Sequence, residues 1–135
     1  GTPQERSPSV SVREVLQNDA DTRIYYEVAA APLVSPRDYV LQVTRHPADH
    51  ALRFTTINDA RRPPKDGTVR IPRIFGSSVA TAVGDGTRSR VVHTVFSETG
   101  GNVPAWIARG GQRDNMVAFI KTLRAKLAAR SAPRP

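Results

Sequence analysis

The stretch that decides the fold is YVLQVTRHPADHALRFTTI, residues 39–57. It holds two apolar, β-branched segments, Tyr39–Arg45 and Ala51–Ile57, on either side of the turn-forming sequence His46–Asp49. A period of two residues is typical of β-strands that bury one face. The stretch therefore predicts two antiparallel strands joined by a tight turn. The alternation is clearest in the second segment, where Leu52, Phe54 and Thr56 alternate with Arg53 and Thr55.

Further segments of the same kind lie on both sides of this pair, with turn signals between them. Gly84–Gly86 is typical of a hairpin turn. The Pro63–Pro64 pair belongs to a loop, Arg61–Gly67, because two successive prolines cannot donate to a strand ladder. Together these segments predict an antiparallel sheet of about six strands. The additional strand candidates are Val10–Leu16, Arg23–Ala31, Val69–Phe75, Val79–Val83 and Arg90–Ser97.

The spacing of apolar residues changes once, towards the C-terminal end of the chain. From Val103 onward the spacing is helical, and Pro104 suits the first turn of a helix. Met116–Leu127 is the clearest helical part, whereas the adjacent Gly110 and Gly111 predict a kink or a break. A curved sheet needs a layer over its apolar face, and this helix is the candidate for it. The helical apolar positions are Val103, Trp106, Ile107, Val117, Ile120, Leu123 and Leu127.

Length and composition indicate a single domain. The chain has 135 residues, which suffices for one sizeable core but not for two. Residues 1–9 and 131–135 lack periodicity and contain prolines, so we expect tails around a domain that spans residues 10–130. The absence of cysteine excludes disulfides and thiolate metal sites. No apolar run approaches the roughly 18 residues that a membrane-spanning helix needs.

The formal net charge of +8 raises the question of a nucleic-acid partner. Seventeen of the cations are arginines, and they are spread through the predicted strands rather than gathered in one stripe. Aromatic residues make up only 6% of the chain and do not interleave with the basic ones. We therefore expect no nucleic-acid binding. A solvated basic surface, or contact with an acidic lipid surface, fits the pattern better.

Three motifs occur in order along the chain: APLVSPRDY at residues 31–39, PPKDGTVR at residues 63–70 and GGNVPAWI at residues 100–107. In this order and spacing they resemble the START (steroidogenic acute regulatory protein-related lipid transfer) domain family, particularly its bacterial members. The resemblance extends from Val10 to Leu127, which is most of the chain. It departs from the family pattern at Glu98–Thr99 and at Phe75–Ser77.

The resemblance implies an α+β helix-grip fold, in which a curved antiparallel sheet packs on a long C-terminal helix around an apolar tunnel. The implied function is non-catalytic binding or transport of a lipid or sterol. A polyketide cyclase or aromatase of the same superfamily is the alternative. Because the family's N-terminal part has no counterpart before Val10, the chain is similar to the C-terminal portion of the domain. We therefore also expect self-association, or β-pairing that completes a partner chain, with Val10–Leu16 as the exposed edge.

Strand alternation indicates which side chains form the wall of the implied tunnel. Tyr39, Leu41 and Val43 share one face of their strand, and we assign that face to the tunnel. The same side chains would also suit a plain apolar core, so both interpretations stay open. The full expected set of ligand-binding residues is Tyr25, Glu27, Tyr39, Leu41, Val43, Leu52, Phe54, Thr56, Trp106, Ile107, Val117 and Ile120.

Glu27 is the most informative member of this set, because a carboxylate on an apolar face is costly to bury without a partner. It could pair with Arg45, accept a hydrogen bond from a ligand hydroxyl, or lie solvated at an open edge. We expect Arg37, Asp38 and Arg45 to have structural roles. Arg37 and Asp38 are adjacent and point to opposite faces, so each needs its own partner and both would fix the loop before them.

The sequence gives little support to an enzyme. The three histidines, His46, His50 and His93, show no spacing that suggests a metal site. No nucleophile elbow is present, and Gly84–Gly86 connects two strands rather than opening a helix over a phosphate. We therefore expect no catalysis, no metal and no cofactor. The cellular compartment stays open, between the cytoplasm of a bacterium and an exported location.

Overall fold

The computed structural model describes residues 10–30, 33, 35–98, 100, 101 and 105–131, with side chains given for residues 113–130 of the last range. The described chain forms one sheet, a short 3-10 turn at Pro47–Asp49 and one helix, α1, at Ala105–Ser131. The strands are β1 (Val10–Asn18), β2 (Thr22–Ala29), β3 (Arg37–His46), β4 (Ala51–Thr56), β5 (Val69–Arg70), β6 (Arg73–Val83) and β7 (Arg88–Glu98).

The strand order in the sheet is β1-β2-β3-β4-β6-β7, and each neighbouring pair in this path is antiparallel. The two-residue strand β5 lies off the path and pairs in parallel with the start of β3. Two backbone hydrogen bonds hold it there, from Val69 N to Pro36 O at 2.9 Å and from Ile71 N to Asp38 O at 2.9 Å. An α+β fold with a mainly antiparallel sheet and a C-terminal helix is therefore confirmed.

The boundaries of two predicted strands are wrong. Sequence spacing separated Val69–Phe75 from Val79–Val83, whereas the structure has a very short β5 and one continuous strand β6. The residues between the two predicted strands, Gly76–Ser78, have low strand propensity, but they pair with β4 on one side and with β7 on the other. Pairing on both sides outweighs the local preference of these residues.

The helix α1 continues through Gly110 and Gly111, so the predicted break is wrong. It ends at Ser131, the residue with which the predicted C-terminal tail began. The expected start of the helix at Val103 and Pro104 lies outside the described residues. Within the described residues, no helix is long and apolar enough to cross a membrane.

The two faces of the sheet meet different parts of the chain. One face, here named the helix face, meets α1 where the ring of His93 stacks on that of Phe119. The other, here named the loop face, meets the loop between β4 and β5. The most buried apolar side chains, Ile24, Tyr26 and Val40, lie on the loop face, and they pack against Leu16, Val28 and Ile57.

Candidate functional site

The strand register brings the eight predicted strand residues together on the helix face. Side chains directly opposite each other on paired strands share a face. Tyr25 lies opposite Leu41, and Leu41 lies opposite Thr56. Sequence alternation therefore grouped these residues on one face as the structure does, while their contact with a ligand stays a prediction. The eight are Tyr25, Glu27, Tyr39, Leu41, Val43, Leu52, Phe54 and Thr56.

The predicted helix residues fall into three groups. The side chains of Trp106 and Ile107 lie outside those described. Ile120 is half-buried, whereas Val117 is 46% exposed and lies beside Arg113 and Lys121. The helix side chains that approach the sheet are Phe119 and Leu123. The face of α1 that meets the sheet is therefore centred closer to Phe119 than the sequence predicted.

A cavity of about 640 Å³ lies between α1 and the helix face. Its apolar walls come from β4, β6, β7 and α1, and its polar rim comes from the turn between β3 and β4. A volume of several hundred Å³ with mostly apolar walls is what a small hydrophobic ligand requires. The lining residues are Arg45, His46, Pro47, His50, Ala51, Leu52, Ser78, Ala80, Val91, Phe119 and Leu123.

A second cavity of about 260 Å³ adjoins the first and shares Arg45 and Leu52 with it. Tyr25 and Val43 also line it, so it extends the space towards β2. Glu27 lies two residues beyond Tyr25 on the same strand and the same face. We name the two cavities together the groove. It runs along the helix face from α1 towards Glu27.

A buried polar cluster lies on the helix face beyond the groove. Glu27 is only 3% exposed. Arg13 of β1 donates from Nε to Glu27 Oε1 at 2.7 Å, and its Nη2 lies 2.6 Å from the same oxygen. Tyr39 of β3 donates its hydroxyl proton to Glu27 Oε2 at 2.5 Å. The carboxylate thus has a cationic partner and a neutral one, as burial requires.

This arrangement corrects two of the predictions for Glu27. Arg45 is not its partner, because the Nε of Arg45 lies 3.2 Å from Asp21 Oδ1 in an exposed ion pair. Glu27 is not solvated at an open edge either, because it is buried. Arg13 was missed as its partner, since β1 pairs with β2 through two irregularities that shift the register and that no sequence pattern shows.

Burial raises the pKa of Tyr39 well above its ordinary value, and the neighbouring Glu27 carboxylate raises it further. The phenol therefore stays protonated at physiological pH and remains a hydrogen-bond donor. The guanidinium of Arg13 also lies over the ring of Tyr25, 4.9 Å from its centroid. Cluster and groove are thus joined through Tyr25, which contacts Arg13 and lines the second cavity.

A stack of three rings joins the sheet to α1. The ring of His93 lies 5.6 Å from that of Phe54 and 4.3 Å from that of Phe119, with interplanar angles below 30° in both cases. His93 Nδ1 is also hydrogen-bonded to Ser78 Oγ at 2.6 Å. Burial lowers the pKa of His93, because the charged imidazolium would lose its hydration there.

Gly76 permits the close packing of this stack. A Cβ atom at this position would lie 2.0 Å from Thr94 O and 2.7 Å from Phe54 Cζ. Both distances are below van der Waals contact, and the carbonyl oxygen belongs to the backbone of β7 and cannot rotate away. The lack of a side chain at Gly76 therefore lets the ring of Phe54 lie over the sheet.

Arg37 and Asp38 each have partners of their own. Asp38, only 1% exposed, accepts hydrogen bonds from Arg70 Nε at 2.8 Å and from Tyr26 Oη at 2.9 Å. Burial alone would raise the pKa of Asp38, but the hydrogen bonds from Arg70 and Tyr26 outweigh it, and the pKa lies below its ordinary value. Arg37 donates to Ser35 O at 2.7 Å and to Gly100 O at 3.0 Å, on the chain segment before α1.

Three residues of the site went unnoticed or unassigned in the sequence: Arg13, His93 and Phe119. Alternation along β7 could have placed His93 on the helix face, since it lies opposite Ser78. Helical spacing could have indicated Phe119, which lies three residues after Met116 and four before Leu123. Within the described residues, no three histidine, aspartate or glutamate side chains are grouped to hold a metal ion.

Known protein families offer a comparison for a chain with this sheet, this helix and the groove between them. The model of the START domain family matches residues 4–132 of this chain. The chain belongs to the START domain family. The resemblance drawn from the three motifs is thereby confirmed, and with it membership of a family that binds lipids.

Two curated relatives show how much of a START protein this chain represents. An uncharacterized protein of Pseudomonas aeruginosa is 29% identical over 110 residues, covering 80% of this chain and 54% of that protein. The phosphatidylcholine transfer protein of Mus musculus is 25% identical over 120 residues, covering 83% of this chain and 56% of that protein. The chain thus spans about half the length of the curated relatives that it matches.

Solved structures agree with the fold of this START domain. A STAR-related lipid transfer protein of Xanthomonas axonopodis superposes with a TM-score of 0.73 at 27% identity, over 90% of this chain and 70% of that one. Human StAR-related lipid transfer protein 5 superposes with a TM-score of 0.69 at 20% identity, over 93% of this chain and 64% of that one. The second similarity concerns the fold alone. The helix-grip architecture is confirmed.

Proposed function

We propose that this START domain binds an amphipathic lipid without chemical change, with the apolar part in the groove and a polar group near Arg13, Glu27 and Tyr39. Membership of a lipid-binding family supports the class of ligand. The groove supports the location, because its walls between α1 and the sheet are mainly apolar side chains. The two cavities share Arg45 and Leu52 in their walls, which supports a ligand that extends from one into the other along the helix face.

The observation that carries the proposal is the buried cluster on an otherwise largely apolar face. A carboxylate can accept about four hydrogen bonds, and Glu27 can therefore accept one from a ligand hydroxyl in addition to those from Arg13 and Tyr39. Because the carboxylate is already paired, a ligand would meet an ordered polar group without a new unpaired charge being buried.

The name of a curated relative guides the choice of probe. The protein from Mus musculus is a phosphatidylcholine transfer protein, so a fluorescent phosphatidylcholine is the first probe and a fluorescent sterol the second. Purified protein is titrated with each probe, and in parallel the lipids that co-purify with it are extracted and identified by mass spectrometry. A saturable fluorescence change at one probe per chain is the expected result.

The decisive variant is Leu52→Asp, because Leu52 lines both cavities and is 42% exposed, so a carboxylate there is tolerated by the fold. Thr55→Asp is the matched control, since Thr55 lies on the same strand with its side chain on the loop face. Leu52→Asp should weaken probe binding at least tenfold while Thr55→Asp leaves it unchanged. Equal binding by both variants, with both folded, would overturn the location in the groove.

The same purified protein and lipid extracts distinguish a lipid carrier from a polyketide cyclase. A carrier releases the extracted lipid unchanged after prolonged incubation. Conversion of a linear polyketide into a cyclised product by the purified chain, lost in the Leu52→Asp variant, would overturn the non-catalytic role and assign the groove to the alternative class.

A further inference from the structure

Arg45 is a charged side chain in the wall of an otherwise mainly apolar groove. It is one of the two residues that line both cavities, the other being Leu52, which lies opposite it on β4. Its Nε lies 3.2 Å from Asp21 Oδ1, but these two side chains are 62% and 59% exposed. An ion pair between exposed groups contributes little to stability. The fold therefore does not account for an arginine where the two cavities meet.

The guanidinium of Arg45 has the capacity to bind a second anion. A guanidinium carries five N–H donors and no acceptor, and it stays charged at physiological pH. Asp21 takes the donor at Nε. The two terminal Nη atoms form the fork that matches the two oxygens of a carboxylate. Arg45 can therefore keep Asp21 and also bind a carboxylate from a ligand in the groove.

Two histidines stand beside Arg45 at the same cavity. His46 and His50, on either side of the short turn between β3 and β4, line the larger cavity together with Arg45. A neutral imidazole carries one N–H donor. Ser78 is the fourth polar side chain of this lining, and among the residues that the structure describes there, none is acidic. The polar part of this cavity therefore consists of groups that can donate to an anion.

The charges around the larger cavity also favour an anion. Helix α1 lines it with Phe119 and Leu123. Between Leu123 and its end at Ser131, the helix carries three cations and no acidic residue. Three full charges outweigh the roughly half a negative charge at the C-terminal end of a helix. Asp49, in the turn, is paired with Arg53 at 3.3 Å. An excess of positive charge beside a cleft concentrates anionic ligands there.

The opposite end of the groove disfavours an anion. Glu27 is a buried carboxylate there, and two carboxylates that lie close together repel each other. Glu27 lies opposite Tyr39 on β3, and Arg45 lies six residues further along the same strand and on the same face. At about 3.3 Å per residue, the two ends are about 20 Å apart along the strand. The groove thus has a basic end at Arg45 and a hydrogen-bond-accepting end at Glu27.

We propose that Arg45, His46 and His50 bind the carboxylate of a long-chain acid whose apolar chain lies in the groove. A hydroxyl at the far end of such a ligand is then placed near Glu27. This assignment rests on the proposed function and narrows its ligand to an amphiphile with an anionic end. It gives Arg45, for which the sequence predicted a structural role, a role in binding.

The first test measures what the ligand's carboxylate contributes. The probes are a dansyl-labelled undecanoic acid and its methyl ester, which share the fluorophore and the chain but differ in charge. The unaltered chain should bind the acid about tenfold more tightly than the ester, because a charge-assisted pair with Arg45 forms only with the acid.

The outcomes of this test separate the anionic subsite from the proposed function. Equal affinities for acid and ester, both lost in Leu52→Asp, would overturn the subsite and leave binding in the groove intact. If neither dansyl probe binds although the phosphatidylcholine probe does, the subsite is likewise overturned. If no probe binds, the proposed function is overturned with it.

The second test removes the guanidinium. Arg45→Gln should weaken binding of the acid about tenfold and leave binding of the ester unchanged. Arg53→Gln is the matched control, since it removes the same charge from an exposed ion pair, with Asp49, on the loop face. Thermal unfolding checks that both variants are folded. Equal binding of the acid by the two variants would overturn the role of Arg45.

Asp21→Asn should change the affinity in the opposite direction, which a damaged fold cannot produce. It removes the carboxylate that shares Arg45 with the ligand, so the acid should bind about threefold more tightly and the ester as before. Weaker or unchanged binding of the acid by this variant would contradict a carboxylate site at Arg45.

Discussion

Tyr39 and Glu27 lie opposite each other on β3 and β2, and the phenol of Tyr39 donates its proton to the carboxylate at 2.5 Å. This contact places a polar pair on a sheet face that otherwise carries mostly apolar side chains. Arg13 completes it from β1, so three consecutive strands are linked by one buried carboxylate. We expect the stability of the sheet to depend on this linkage.

Removing the phenol should weaken both the fold and ligand binding. Tyr39→Phe leaves Glu27 with one hydrogen-bond partner fewer in a buried position, and the free energy of unfolding should fall by about 1–3 kcal/mol. Urea denaturation measures this change. Tyr25→Phe is the control, because it keeps the ring that Arg13 contacts, and its stability should stay close to that of the unaltered chain. If Tyr39→Phe were equally stable, the hydrogen bond to Glu27 would not contribute to the fold.

Because there is no room for a side chain at Gly76, adding a single methyl group there should lower the stability of the fold substantially. Gly76→Ala places Cβ 2.0 Å from Thr94 O, so β6 and β7 must separate or the ring of Phe54 must leave the stack. We expect a loss of about 1–3 kcal/mol, seen as a lower thermal midpoint. Ser77→Ala, at the neighbouring position on the loop face, should change the midpoint little. Similar midpoints for the two variants would contradict the close packing.

Acid should weaken the contact between α1 and the sheet. Because burial lowers the pKa of His93, the unfolded chain binds the proton more tightly than the folded one. The stability that depends on the neutral ring is therefore complete above about pH 6.5 and is lost as the pH falls towards the folded-state pKa. Urea midpoints at pH 7.5 and at pH 5.5 measure the loss.

His93→Gln should show a smaller difference between these two pH values, because it removes the titrating ring from the stack. His50→Asn is the matched control, since His50 lies in an exposed turn with a positive φ that asparagine tolerates. Its pH dependence should equal that of the unaltered chain. A pH dependence that persists in His93→Gln would assign the effect to another group.

The ion pair between Asp38 and Arg70 should be costly to break from one side. Arg70→Met leaves the Asp38 carboxylate buried with Tyr26 as its remaining described partner, and we expect a loss of about 3 kcal/mol. The double variant Asp38→Asn/Arg70→Met should recover part of this loss, because no charge then remains buried. Because the pKa of Asp38 is lowered in the folded chain, the stabilisation by this ion pair is complete above about pH 4 and is lost as the pH falls further. A double variant less stable than Arg70→Met would contradict this reasoning.

The orientation of α1 is tested by two apolar residues two positions apart. Phe119 stacks on His93, whereas Val117 is largely exposed and lies beside Arg113 and Lys121. Phe119→Ala should lower the free energy of unfolding by about 1–2 kcal/mol, because it loses a ring contact on a half-exposed site. Val117→Ala should change it by less than about 0.5 kcal/mol. The reverse order would show that α1 presents another face to the sheet.

Much of this structure could be predicted from the sequence, because the signals concerned are local. Alternation in Ala51–Ile57 gave the strand and also the shared face of Leu52 and Phe54, and helical spacing gave α1. The turn His46–Asp49 gave the connection between two strands. These patterns depend on residues within about ten positions of one another, which is the range over which sequence periodicity carries information.

What could not be predicted depends on contacts between distant segments. The partner of Glu27 is Arg13, and finding it requires the register of β1, which shifts twice. The core on the loop face was not predicted from the sequence. Alternation shows that the two faces of a strand differ in polarity, but not that other parts of the chain cover both faces. The continuity of β6 through Gly76 likewise results from pairing on both sides rather than from its own propensity.

The meander order of the sheet has a consequence for how the chain folds. Four of the five antiparallel pairs join strands that are consecutive in the chain, so most of the ladder can form hairpin by hairpin without closing a long loop first. Contacts that close longer loops include those of Asp38 with Arg70 across 32 residues, Glu14 with Arg62 across 48 and Arg37 with Gly100 across 63. If these contacts form after the rate-limiting step, their loss accelerates unfolding and leaves the folding rate nearly unchanged. The three arginines would then set how long the native state lasts rather than how fast it is reached.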